Sequence, residues 1–188
     1  MSLLDIHVLG SPILRVETRM VTEFTDELKE LAGHMFDTMH AAEGIGLAAP
    51  QVGREERLAV IEVDQAKYVI INPEVVEERG EERAEEGCLS IPDIHGEIDR
   101  ATSVVVRAVD LEGVPIEIAA DGLLARCLLH EIDHLHGKLF IDYLSLLKRR
   151  AALGKWEASK VKYPGNIRRL LPADIVTPAV RGSETGAR

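Results

Sequence analysis

The sequence predicts an α+β fold: antiparallel or mixed β-sheets packed around a central helix, with one further helix towards each end. Three observations predict it. Strand-like segments follow one another in a run instead of alternating with helices. Helical periodicity precedes and follows that run. A chain of 188 residues with 46% apolar content also matches one domain. At that length it should bury roughly 70% of the surface its unfolded form exposes.

The first helix begins after Thr25, a suitable N-cap, with Asp26 and Glu27 in its first turn. Leu28, Leu31, Ala32, Met35, Phe36 and Met39 then recur at helical spacing until Gly44 stops the pattern. Residues 58–63, 68–71, 75–76, 102–109 and 114–118 are rich in β-branched side chains and read as strands. Glu112-Gly113 is the expected hairpin turn between the last two. The second helix runs from Asp121 through Leu135 to a stop at Gly137. Leu124, Leu128 and Leu135 make it central and well buried, while Leu123 and Cys127 share the face of two histidines. A third helix spans 145–161 and ends near the breaker Tyr163-Pro164-Gly165-Asn166. The expected division is a folded domain over 1–163 and an extended, partly disordered tail over 164–188.

Composition excludes several classes. Two cysteines, Cys88 and Cys127, cannot build a disulfide framework. No apolar run approaches the roughly 18 residues of a membrane span. The first residues carry an early acid, Asp5, and no cleavable apolar stretch, so the expectation is a soluble, cytoplasmic protein. Net charge is −10 but uneven: residues 148–188 hold ten Lys/Arg against three Asp/Glu, and residues 1–147 hold 12 against 29. An acidic body should repel nucleic acid, so no DNA partner is expected. The basic end could touch RNA or an acidic surface, although a solvated helix face is the plainer reading.

His130-Glu131-Ile132-Asp133-His134 is an H-E-x-x-H pattern on the second helix. A spacing of four puts both imidazoles on one face, one turn apart, where they can bind one metal ion. Glu131 projects about 100° away, close enough to act as general base towards a water at that ion. Two histidines do not close a coordination shell, so a third ligand decides the chemistry. The extended protease pattern fails, because Phe140 stands where its third histidine belongs. Glu157 on the following helix, or Asp142 in a short strand-like segment, remain possible. The better candidate is Cys88, in Glu86-Gly87-Cys88-Leu89-Ser90-Ile91-Pro92. A free cysteine is usually a small buried hydrophobe, but a metal would keep its thiol deprotonated. Gly44-Ile45-Gly46-Leu47-Ala48-Ala49-Pro50-Gln51-Val52-Gly53 reads as a loop where backbone approaches something closely. Its one polar side chain, Gln51, could donate to an oxyanion.

These three segments, in this order, resemble the signature motifs of peptide deformylases nearly residue for residue. With flanking stretches included, the resemblance covers roughly residues 1–150. It implies a catalytic domain over 1–163 and one divalent metal ion held by Cys88, His130 and His134, with water in the fourth position. That ion would be Fe2+ in the cell, replaceable by Zn2+ or Ni2+. It further implies Glu131 as general acid/base, and the Gln51 side chain with the Leu89 backbone N–H as oxyanion donors. Substrate contacts would come from Gly44, Ile45, Gly46 and Cys127, with His130 also bordering the methionine pocket, and Glu86 and Arg100 would form a buried supporting ion pair. The implied reaction is hydrolytic removal of the formyl group from N-formylmethionyl nascent peptides, and the implied further partner is the ribosome, through the basic C-terminal helix. Two positions depart from the pattern: Leu129 replaces the usual glutamine, and Asp93 stands where glycine is common. Two rivals remain at this point, an endopeptidase using Glu157 as third ligand and a non-catalytic binder of formylated chains.

Overall fold

A computed structural model describes residues 3–170. The chain opens with strand β1 (Ile6–His7), and helix α1 (Asp26–Ala41) follows with the Thr25 hydroxyl accepting from the Leu28 amide at 3.3 Å. Strands β2 (Gly46–Ala48), β3 (Leu58–Val63) and β4 (Ala66–Arg79) come next, then β5 (Glu82–Cys88), β6 (Ile91–Arg100), β7 (Ser103–Val109) and β8 (Pro115–Asp121). Helix α2 (Gly122–Leu135), helix α3 (Leu146–Ser159) and strand β9 (Ile167–Arg168) complete the described chain.

Every pairing between these strands is antiparallel. Five strands form one sheet in the order β2-β3-β4-β7-β8, β5 pairs with β6, and β9 pairs with β1. Strand β3 explains the layering. Ala59, Ile61 and Val63 face a core shared with Leu128, Ile132 and Leu135 of α2. Leu58 and Val60 alternate to the other face, against Leu31, Met35 and Met39 of α1. A strand covered on both faces reads as a continuous apolar run, which is why this one is plain in the sequence. A third core joins Ile91, Ile94 and Ile98 of β6 to Phe140, Leu144 and the α3 residue Trp156.

Four expectations need correction. The segment 44–53 is not a loop throughout: Gly46–Ala48 is the edge strand β2, paired with β3, and a 3-10 turn, Ala49–Val52, follows it. Residues 68–71 and 75–76 belong to one long strand, β4. Its pairing with β7 shifts register around Asn72 and Pro73, and that bulge breaks the alternation in the sequence. Asp142 lies in a 3-10 turn, Phe140–Tyr143, instead of a strand-like segment. The β5–β6 hairpin was not foreseen at all, because its outward positions are filled by acids that lower strand propensity. Burial of Ile94, Ile98 and Arg100 on alternate positions holds it in place. Beyond α3, Pro164–Asn166 is a short turn leading into β9, and residues 171–188 of the expected tail lie outside the described residues.

Candidate active site

Helix α2 has two faces with different chemistry. Ala125, Leu128, Ile132 and Leu135 pack on the sheet, His130 and Glu131 face the cleft with His134 buried behind them, and Cys127 borders both core and cleft. Leu129, where the resemblance pattern has glutamine, is buried in the apolar layer between α2 and the sheet. Leu123 does not join the packing as expected. It is 56% exposed, at the mouth of a cleft.

The two imidazoles meet at their Nε2 atoms, 3.2 Å apart, and Cys88 Sγ lies 3.2 Å from His134 Nε2. All three ligand atoms fall within 4.8 Å of one another. Cys88 reaches this position because β5 ends in a register shift at Gly87/Cys88, a bulge that re-aims the thiol across the hairpin end. Neither acid weighed as third ligand is present: Glu157 pairs with Lys160 at 2.6 Å, and Asp142 pairs with Arg15 at 2.5 Å.

Glu86 organises the back of the cluster. Its carboxylate accepts from His130 Nδ1 at 2.9 Å, from both Arg100 Nε and Nη2 at 2.9 and 3.1 Å, and from Arg126 Nη1 at 3.0 Å. Arg100 continues to Asp133 at 2.5 Å, which accepts from the Tyr143 hydroxyl at 2.8 Å. Burial alone would raise the Glu86 pKa, but hydrogen bonds from His130 and Arg100 outweigh it and hold the carboxyl down at about 2. With Nδ1 of His130 engaged by this carboxylate, its Nε2 lone pair is turned to the cluster. Burial drives the His134 imidazole well below its usual range, so it is neutral and able to donate a lone pair. Burial acts the same way on His130, but hydrogen bonds with Cys88 and Glu86 outweigh it and hold that imidazole well above its usual range. Sequence reading anticipated Glu86 and Arg100. It missed Arg126, four residues before His130 on the same helix face, and the Asp133–Tyr143 extension.

Glu131 is 3% exposed and its Oε2 has no hydrogen-bond partner among the described residues. Burial raises its pKa to about 7, with the Glu86 and Asp133 charges adding to the rise. A buried carboxylate with an unpartnered oxygen beside two imidazoles and a thiol is costly unless something positive completes it. The donor set of one sulfur and two imidazole nitrogens suits zinc, iron or nickel, so the residues fit a divalent ion.

Gln51 is 1% exposed. The Ala48 amide donates to its Oε1 at 2.8 Å, which fixes the side-chain orientation and turns Nε2 to Ser90 Oγ at 3.2 Å and towards Cys88 Sγ at 3.5 Å. Leu89 follows Cys88 in the hairpin turn. Gly46 admits no side chain: a Cβ there would collide with Glu131 Oε1 and lie 2.9 Å from Cys127 Sγ. Cys127 is buried, with its thiol 3.7 Å from the Ile45 carbonyl. Asp93 adopts φ +62°, a left-handed conformation that accounts for a preference for glycine at this position.

These side chains open on one cleft of about 560 Å3. Gly44, Ile45, Gly46, Gln51, Cys88, Leu89, Cys127, His130 and Glu131 line it, and His134 sits behind. The structure thus brings together the residues of the three motifs, and leaves Glu157 and Asp142 outside the site. It adds Asp93, His95, Arg126, Tyr163 and Arg168 to the lining.

Comparison with known proteins gives the family. The family model described as "Polypeptide deformylase" matches residues 3–150. A peptide deformylase of Acinetobacter baumannii (strain SDF) is 50% identical over 161 residues, covering 84% of this chain and 92% of that protein. Among solved structures, a peptide deformylase from Legionella pneumophila superposes with TM-score 0.82 at 46% identity, over 86% of this chain and 97% of the other. One from Synechococcus elongatus, in complex with actinonin, gives 0.78 at 44%, over 81% and 85%. On its sequence, its fold and its relatives, this chain belongs to the polypeptide deformylase family of enzymes.

Proposed function

We propose that this enzyme removes the N-formyl group from the N-terminal formylmethionine of newly made polypeptides, releasing formate. The observation that carries the reading is the meeting of Cys88, His130 and His134 beside the buried carboxyl of Glu131, whose Oε2 has no partner among the described residues. Cys88, His130 and His134 would hold one divalent ion, Fe2+ in the cell, with Zn2+ or Ni2+ able to replace it. Bound there, such an ion supplies Lewis-acid polarisation of the formyl carbonyl and a lowered pKa for water.

The chain's own residues do the rest. Gln51 Nε2 and the Leu89 backbone N–H donate to the oxygen that becomes negative in the tetrahedral state. Glu131, held near neutrality, takes the proton of the attacking water and delivers it to the amine nitrogen as the C–N bond breaks. The products are formate and a free methionine amine. Gly46, on an edge strand, offers its carbonyl to the substrate backbone, Gly44 allows the chain close, and Ile45, Cys127 and His130 border the methionine side chain. Glu86 and Arg100 keep His130 oriented.

Residues 1–163 form the catalytic domain in this reading, with 164–188 appended. Helix α3 buries only Ala152 and Trp156 and exposes Lys148, Arg150 and Lys155, which supports docking to ribosomal RNA near emerging chains. Among the described residues no helix is long and apolar enough to cross a membrane, compatible with work in the cytoplasm. The test is formate release from formyl-Met-Ala-Ser by anaerobically prepared protein. Turnover is expected from the wild type, with a loss of about 10²–10⁴-fold in Glu131→Gln. No formate from fully metallated protein refutes hydrolysis and leaves only binding.

A further inference from the structure

The three ion ligands come from two parts of the chain whose apolar faces are packed into different cores. His130 and His134 stand on α2, which packs on the sheet. Cys88 ends β5, and the β5–β6 hairpin is anchored through Ile91, Ile94 and Ile98 on Phe140, Leu144 and Trp156. Burial in separate cores does not by itself fix hairpin against helix to within the roughly 0.2 Å that metal–ligand distances demand.

Two arginines cross between these parts in opposite directions. Arg100, on β6, reaches Glu86 of its own hairpin and Asp133 of α2. Arg126, one turn before His130 on α2, reaches back to the hairpin. Its Nη1 donates to Glu86 Oε1 at 3.0 Å and to the Ile98 carbonyl at a longer 3.4 Å, and its Nη2 donates to the Glu82 carbonyl at 2.8 Å. One planar guanidinium thus holds β5 at two points and β6 at a third, and its side chain is only 11% exposed. Glu86 stands two residues before Cys88 and also accepts from His130 Nδ1, so the bridge runs from the helix to the thiol's strand and back to an imidazole. None of these Arg126 bonds goes to a ligand residue itself.

We propose that Arg126 is a positioning residue: it clamps the cysteine hairpin to α2, so that the thiol and both imidazoles stand together before an ion arrives, and thereby tightens metal binding. The role rests on the reading of Cys88, His130 and His134 as ion ligands. Charge and clamp predict opposite signs. By charge alone, removing a cation near a divalent-ion site would tighten binding. Loss of a clamp weakens it, by about ten-fold for a residue that supports a ligand.

The test measures the Zn2+ dissociation constant of the full chain, stripped of metal and kept reduced, by competition with a chromophoric chelator. Arg126→Leu should bind about ten-fold more weakly than wild type. Arg126→Lys keeps the charge beside Glu86 but cannot span Glu86 and the Glu82 carbonyl together, so it should weaken binding as well. Arg83→Leu removes an exposed arginine whose partner, Asp99, lies on the same hairpin, and should leave the constant unchanged. A residue that only stabilised the fold would lower the urea midpoints of metal-free and metal-bound protein alike and leave the constant of the folded chain unmoved. An Arg126→Leu constant equal to or tighter than wild type, an Arg126→Lys constant at the wild-type value, or an equal loss in Arg83→Leu overturns the proposal. If Arg126→Leu does not fold, Arg126→Lys decides alone. Wild-type protein that takes up no Zn2+ refutes the ion-binding reading instead, so the two failures are distinguishable.

Discussion

Glu131 joins stability and function in one side chain. Its carboxyl is almost wholly enclosed, and one oxygen lacks a partner. Such a group is expensive to bury as an ion, which is the usual sign of a residue retained for chemistry. Glu131→Gln keeps the shape and removes the charge. In metal-free protein it should therefore raise the midpoint of urea titrations, by the equivalent of about 1–3 kcal/mol in unfolding free energy, while abolishing proton transfer. A lowered midpoint would mean that the carboxylate is structurally satisfied. Arg100 is the opposite case. Removing it by Arg100→Leu leaves Glu86 only Arg126 and His130, and Asp133 only Tyr143, in a buried setting and should cost roughly 3 kcal/mol, read by the same titration. It should also weaken metal binding about 10–100-fold, because His130 loses its fixed orientation.

The elements differ in how plainly the sequence announces them, and the reason is distance along the chain. Helix α2 was legible because His130, Glu131 and His134 sit within two turns, where helical geometry alone relates them. Cys88 joins them only through the β5–β6 hairpin and its bulge, a tertiary fact that spacing does not encode, and the family resemblance supplied it. The same hairpin was unreadable as strands because its outer face is acidic. The long β4 was cut in two by Asn72 and Pro73. Leu123, read with Cys127 on the histidine face, lies at the cleft mouth and is more than half exposed. Strand β2 shows what a short element can contribute. With Gly46 against Glu131 and Cys127, Gly46→Ala should reduce kcat/KM by at least about ten-fold, since displacing a catalytic group by 1 Å can cost 100-fold. Activity at the wild-type level would show that this contact yields freely.

At the scale of the molecule, three apolar cores surround the site. The first lies between α2 and the sheet, the second between α1 and the sheet, and the third between the hairpin and α3. The ion cluster sits where the hairpin meets α2, so its ligands come from two separately packed parts of the chain. A bound ion would tie those parts together and stabilise the fold by mass action. At a free metal concentration about 1,000 times its Kd that is about 4 kcal/mol, so stripping the metal should lower Tm by roughly 10 °C. A Tm indifferent to chelation would mean that the hairpin and α2 hold together without it.

One ion shared by a thiol and two imidazoles is the centre of the proposed chemistry, and metal stoichiometry in Cys88→Ser measures that directly. Wild type purified anaerobically should carry one ion per chain, and Cys88→Ser, folded and with its circular dichroism unchanged, should lose nearly all of it. A Cys88→Ser protein that keeps a full equivalent of metal would contradict the account.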